Sequence, residues 1–531
     1  MPANTPPNPP FPGDEDPDRT VAYRTPRPPQ QDYARTAQWQ YPAGFEPETR
    51  FASEELGHAA PAPGRKGGRG WIIALIAAIV VAVVGGGGVW AAAKLSGGGT
   101  QPHEVLPGNA IAYVRLDLDP AANQKIALFD IARKFSATKE TFSGDDPRKA
   151  AFEALRGNDP KLAHVDYAKD IEPWLGDRIG FAVLAPSQKG GDPGAVMAIQ
   201  VKDEEAARAG LAKMDEGIAE RQRTGVAFRD GYAIVTSDQS AADQYAAAAP
   251  LSENTRFTGD MDTLGEQGVL SFWADLSQIA ESSGSGADPA AEIIKDARLT
   301  GALRFGDDYA ELIGTARGTD VKSGQTQTVD LGDLPASTAA AVGVSGLGKM
   351  LQENWADIEK ALGAQAQAPQ QYGLSMPDDL VALLGESITL AIDTEGLDAL
   401  DPRLGAVLET DPAKADPVLA KLESALSGSG MPPGLGKARS EGKLVVATSQ
   451  DYADELASAG ALRDNETFQK AVPDAEGAGF ALYVDMNSAK ALYQRELQGE
   501  AKANVDALRA VGLSGKISDG EAGFTVRVVF N

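Results

Sequence analysis

The chain has 531 residues, with 75 acidic and 49 basic side chains, three histidines and no cysteine, for a net charge of −26. The missing cysteine excludes a disulfide scaffold, thiol catalysis, Cys-ligated zinc, iron–sulfur clusters and a lipidated cysteine anchor. His58, His103 and His164 are too far apart in the chain for the paired spacing of a His-rich zinc site, so neither a metal nor another cofactor is expected.

In chain order, residues 1–70 read as a disordered, Pro-rich tail. Fourteen of the 33 prolines fall in residues 1–64, and the polar remainder cannot bury enough apolar surface to offset chain entropy. Within the tail, the acidic run Asp14-Glu15-Asp16-Pro17-Asp18 leads through Arg19 to Thr20. Phosphorylation of Thr20 or of nearby Thr25 would create an acceptor for an Arg-bearing phosphothreonine reader, against the plainer reading of an unmodified solvated tail. Pro6-Pro7-Asn8-Pro9-Pro10 fits a polyproline II ligand or a spacer.

From Trp71 to Ala93 no residue is charged. As a helix this stretch is about 34 Å long, enough for a hydrocarbon core of roughly 30 Å, and Trp71 and Trp90 stand where interfacial anchors belong. Arg65, Lys66 and Arg69 crowd its N-terminal side, while Lys94 follows alone. The positive-inside rule then leaves the tail in the cytoplasm and exports the rest, as a single-pass signal anchor in the cell membrane. Ala74, Ala78, Ala82 and Gly86 share one helix face, which admits a transmembrane homodimer.

After a linker at 94–104, the exported part carries the whole charge imbalance. Residues 1–94 hold nine acidic and nine basic groups, residues 95–531 hold 66 and 40. Such a body repels phosphate backbones, so nucleic acid is not an expected partner.

The exported part also repeats itself. Asp170–Val183 parallels Asp379–Ile392 around a Leu-Gly pair, Val196–Lys213 parallels Ala406–Lys421, and Tyr232–Ser237 parallels Leu444–Ser449. Leu251–Phe257 matches Leu462–Phe468, and Val269–Ser277 matches Gly479–Asn487, all at offsets of 208 to 212 residues. Five matches in register predict a tandem duplication, with copy A at 105–320, a linker at 321–333 and copy B at 334–531. Copy A carries a longer helical insertion through 120–168. Each copy reads as α+β, a mixed and largely antiparallel sheet with helices on one face. Turns are expected at Gly231-Tyr232, Gly442-Lys443, Gly306-Asp307-Asp308 and Asp519-Gly520, and an amphipathic helix over 203–223.

Three strands close on Asp, then Leu or Met, then a residue suited to cap a helix: Asp117-Leu118-Asp119, Asp275-Leu276-Ser277 and Asp485-Met486-Asn487. Asp119, Ser277 and Asn487 read as N-caps. Asp117, Asp275 and Asp485 are then recurrent strand-end carboxylates, able to ligate Ca²⁺ or a cationic group, although a structural role in the turn is the stronger reading. Catalytic signatures fail. Gly343–Lys349 has P-loop spacing, but Met350 stands where Ser or Thr should hold Mg²⁺. Ser136-Ala-Thr-Lys139 lacks the partner motifs of penicillin-binding enzymes.

The Pro-rich tail, the single span with its glycine run, and the stretches Leu106–Pro120 and Glu172–Val183 together resemble a family of membrane-anchored actinobacterial proteins of unknown function, the DUF3352 type. The resemblance implies a cell-envelope location and single-pass topology, and brings no activity or catalytic residues. The expected function is that of a non-enzymatic, extracytoplasmic binding protein for an envelope ligand or protein. The alternatives are a cryptic hydrolase and a scaffold subunit of an envelope complex.

Overall fold

The computed structural model describes residues 99–531, except 137, 140–145, 159–161, 187, 189–190, 217–222, 284–295, 319–327, 399–400, 428–434, 441, 459, 495–496 and 519. The predicted tail with Thr20 and Thr25, the span from Trp71 to Ala93 and its small-residue face lie outside the described residues. Among the described residues, no helix is long and apolar enough to cross a membrane.

Eight strands lie in the first half: β1 (Ala110–Asp117), β2 (Leu175–Leu184), β3 (Gly194–Val201), β4 (Gly225–Arg229), β5 (Tyr232–Thr236), β6 (Leu270–Asp275), β7 (Arg298–Gly306) and β8 (Tyr309–Arg317). Eight more follow: β9 (Thr338–Ser345), β10 (Ser387–Asp393), β11 (Leu404–Glu409), β12 (Gly436–Ser440), β13 (Lys443–Ala447), β14 (Phe480–Asp485), β15 (Leu508–Ser518) and β16 (Glu521–Phe530). They form one antiparallel sheet in the order β12-β13-β11-β10-β9-β14-β15-β16-β8-β7-β6-β1-β2-β3-β5-β4. Read inward from either edge, the order has the same form. The two runs meet where β8 pairs with β16, from Tyr309 opposite Val529 to Arg317 opposite Glu521. Instead of two sheets joined by a linker, a single backbone ladder runs through both halves.

Two of the expected turns are described in full, the first of them one residue ahead of Gly231-Tyr232, while Asp519 lies outside the described residues. Asp230 and Gly231, both at positive φ, close the β4–β5 hairpin in the geometry that suits strand twist. Asp307 and Asp308 close β7–β8. The helix expected over 203–223 runs over Glu204–Met214, capped by Asp203, whose carboxylate accepts the Ala206 N–H at 2.8 Å. The two stretches read as linkers carry packed residues. Pro102 is buried in a short 3₁₀ turn, Pro102–Glu104. Val329 and Leu331 are buried too, and Val329 bridges to Ala478. Their polar neighbours conceal these anchors in the sequence.

One face of the sheet is covered throughout its length. In the first half Tyr113, Phe257 and Trp273 stack edge to face there, at 5.2 and 5.6 Å between centroids, among Ala182, Ala198, Tyr232 and Ile234. In the second half Tyr483 and Phe468 pair at 5.1 Å among Ala341, Ala391, Ala481 and Val529. The opposite face is covered toward its two ends and, in the middle, by one helix over part of β7, β8 and β16. Trp174, Ile171 and Leu211 pack over β1, β2, β3 and β5, and Leu128 and Phe129 of the helix Ala122–Ala132 pack with Phe305 and Phe530. Ala415 and Leu419 pack with Leu408 and Leu444 at the other end.

Candidate functional site

Beside those layers, the middle strands carry apolar side chains in rows, of which Leu303 packs partly against the helix Ala122–Ala132. Leu303, Leu312, Val526, Leu513, Leu482, Val342 and Leu390 stand directly opposite one another on seven consecutive strands from β7 to β10. A second row, two residues along each strand, reads Phe272, Gly301, Gly314, Phe524, Gly515, Phe480 and Val344 from β6 to β9. Each Phe lies flat over the glycine of the next strand. A Cβ on Gly301, Gly314 or Gly515 would fall 2.1–2.4 Å from the Cζ of Phe272, Phe524 or Phe480. The rings thus cover the bare glycine backbone and make the surface smooth.

Both rows are half-buried where side chains alternate onto this face, and Val342 and Leu390 are 37% and 47% exposed. Strands 4.8 Å apart give the first row a length of about 29 Å, and two rows make roughly 400 Å² of apolar strip. A patch of this extent on a soluble surface marks an interaction site more often than chance. The strip is open and shallow.

The three strand-end carboxylates are engaged within the fold. Asp117 is buried against Arg115, with Arg178 at 3.8 Å, and accepts the Asp119 N–H at 3.0 Å. Asp275 accepts Ser277 Oγ at 2.5 Å, the Gln278 N–H at 3.1 Å and Gln278 Nε2 at 2.7 Å. Burial alone would raise its pKa, but those donors outweigh it and hold the carboxyl below its usual range. Asp485 accepts the Asn487 and Ser488 N–H groups at 2.9 and 3.1 Å. Asp275 caps the helix Leu276–Ser283 through the Gln278 N–H, whereas Asp117 and Asp485 hold turns, because the helices that follow them have Ala121 and Ala489 at their N-caps and no capping side chain. None of the expected caps Asp119, Ser277 and Asn487 takes that place.

Asp117 and Asp275 close β1 and β6, which are neighbours and run antiparallel, so they stand at opposite ends of that strand pair, and Asp485 belongs to the other half. Among the described residues no three His, Cys, Asp or Glu side chains gather to hold a metal. Sequence reasoning missed a fourth such residue, Asp393, which closes β10 and accepts Ser337 Oγ at 2.7 Å and the Glu395 N–H at 2.8 Å. It also missed Asp260, which binds Trp273 Nε1 at 2.9 Å and Arg298 Nε at 2.7 Å. A carboxyl with a raised pKa is Asp119, pushed up to about 6 by burial and by the neighbouring Asp177.

Residues 74–257 match the family model described as Protein of unknown function (DUF3352), and both stretches that carried the resemblance, Leu106–Pro120 and Glu172–Val183, fall inside the match. The matched region ends before β6, so it contains neither the β8–β16 junction nor any of the apolar strip. No curated protein and no solved structure matches the chain.

Proposed function

We propose that this chain is a single-pass membrane protein whose exported, internally duplicated body works without catalysis, as a docking platform for another envelope protein. The uncharged run from Trp71 to Ala93 and its basic N-terminal flank support the topology. The strand order, alike from both edges, supports the duplication. The observation that carries the docking reading is the half-exposed apolar strip across β6 to β10 by way of the β8–β16 junction.

Its shape favours a macromolecule over a small ligand. Small-molecule sites are concave and bury most of the ligand, whereas a single chain laid on an open sheet keeps one side in water. About 400 Å² of apolar surface is half of what one partner contributes to a standard protein interface, the share expected of the apolar centre. The acidic body around it favours a partner with a basic rim. A hydrolase finds less support: Asp119 lines neither the cleft at Tyr372 and Lys421 nor the one at Gln124 and Lys470.

Native mass spectrometry of the full chain, extracted mildly from its own membranes, tests this reading. A protein-sized added mass that disappears in the Val342→Asp/Leu390→Asp double variant is the expected result. A small added mass would replace the protein partner by a lipid-like ligand, and a bare chain would count against both.

A further inference from the structure

A second site lies at the same junction but away from the strip, where the β7–β8 hairpin meets the start of the helix Ala122–Ala132 and Lys470 from the other half. It is a cleft of ≈ 620 Å³, within the range of small-molecule pockets. Its walls alternate donors and acceptors. Lys470 Nζ bonds Asp308 Oδ2 at 2.5 Å, Arg304 Nε donates to the Glu266 carbonyl at 2.8 Å, and Glu311 takes Arg527 Nε at 2.7 Å. Behind them Gln124 is 3% exposed; its Nε2 donates to Glu266, and its Oε1 is buried without any partner. The oxygen is closed to solvent as it stands, and because Gln124 lines the cleft, a turn of its side chain would present this unpaired acceptor to an incoming group.

We propose that the cleft binds a neutral polyhydroxylated ligand, a mono- or disaccharide unit of a glycan, with a hydroxyl donating to Gln124 Oε1 and others bonding Lys470 and the hairpin carboxylates. The lining chemistry selects among classes. Anions meet Glu266, Asp307, Asp308 and Glu311, more negative groups than positive ones. A divalent cation needs several converging oxygens, but Asp308 and Glu311 are committed to Lys470 and to Arg304 and Arg527. Hydroxyl groups, which both donate and accept, match a wall where carboxylates, an amide and ammonium or guanidinium groups alternate. Because residues from both halves line the cleft, its occupant would bridge the β8–β16 junction. The site stands whether or not the apolar strip holds a protein.

The test is isothermal titration of the full chain, held in a detergent without a sugar headgroup, with maltose, cellobiose and N,N′-diacetylchitobiose as probes. Saturable binding of at least one is expected, weakened about tenfold by Gln124→Met, as loss of one buried hydrogen bond implies. Lys470→Ala should weaken it severalfold, and because this side chain is exposed, its removal leaves a folded control should Gln124→Met unfold. Absence of saturation for all three probes, binding of Ca²⁺ in place of sugar, or full affinity in Lys470→Ala would overturn the proposal.

Discussion

The same middle strands present two different faces. On one, Trp273, Ala302, Ala510, Tyr483 and Val529 are all at or below 1% exposure. On the other, the intervening residues Phe272, Leu312, Leu513, Leu482 and Val526 are half-exposed, and Val342 and Leu390 more so. A strand alternates its side chains between faces, so apolar residues on both faces are the pattern of a strand buried on both. These strands are written for two covers and, beyond the helix Ala122–Ala132 over part of β7, β8 and β16, they have one. The difference separates what apolar side chains do for stability from what they do for binding, and each substitution below bears on it.

The largest effect belongs to the covered face. Trp273→Ala removes a buried ring and the hydrogen bond to Asp260, and should cost about 3–5 kcal/mol in urea unfolding. Equal tolerance of this change and of changes on the strip would erase the contrast.

Asp275→Ala comes next, at about 2 kcal/mol near pH 7, since Ser277 and Gln278 lose their acceptor. Its folded pKa lies below the usual aspartate value of 3.8, so the carboxylate stabilises the fold above that pH and the benefit is lost as pH falls through the folded value. The gap between variant and parent should therefore narrow on acidification below 3.8. Asp119 has the opposite sign. Its folded pKa of about 6 exceeds the usual 3.8 of an aspartate, so the stability it contributes is complete below 3.8 and is lost as pH rises through about 6. Asp119→Asn should abolish that decline and be about 1 kcal/mol more stable than the parent at pH 8, a figure reduced for partial solvent screening. A flat difference across pH 4–8 would contradict it.

The smallest effect on stability is expected on the strip itself. Leu390→Ser should change unfolding by no more than about 0.5 kcal/mol, as exposed substitutions do, while weakening whatever docks there.

Much of this architecture can be read in the sequence, and the unread parts share a physical cause. Short-range signals sufficed for the strands, for the hairpins at Asp230-Gly231 and Asp307-Asp308, and for the helix capped by Asp203. Long-range pairing left no local mark: β8 meets β16 across some two hundred residues, and only the register reveals that the halves share a sheet. The expected caps Asp119, Ser277 and Asn487 were misplaced because a strand-end Asp reaches forward to the next N–H groups, capping a helix at Asp275 and holding a turn at Asp117 and Asp485. The strip was hidden for a different reason. A run such as Phe480-Ala481-Leu482-Tyr483-Val484 announces that both faces are apolar, but not that one of them lacks a cover. Gln124 looks in sequence like an ordinary helix residue, and its unpaired oxygen emerges only from packing.

The most direct test of the docking face is site-specific photocrosslinking in intact cells, with the reactive residue placed at Val342, Leu390 or Leu482 and, as controls, at Gly231 and Asp307 on the hairpins. Discrete crosslinked protein at the three strip positions and none at the controls is the predicted result. Equal labelling at all five positions, or none on the strip, would contradict the account.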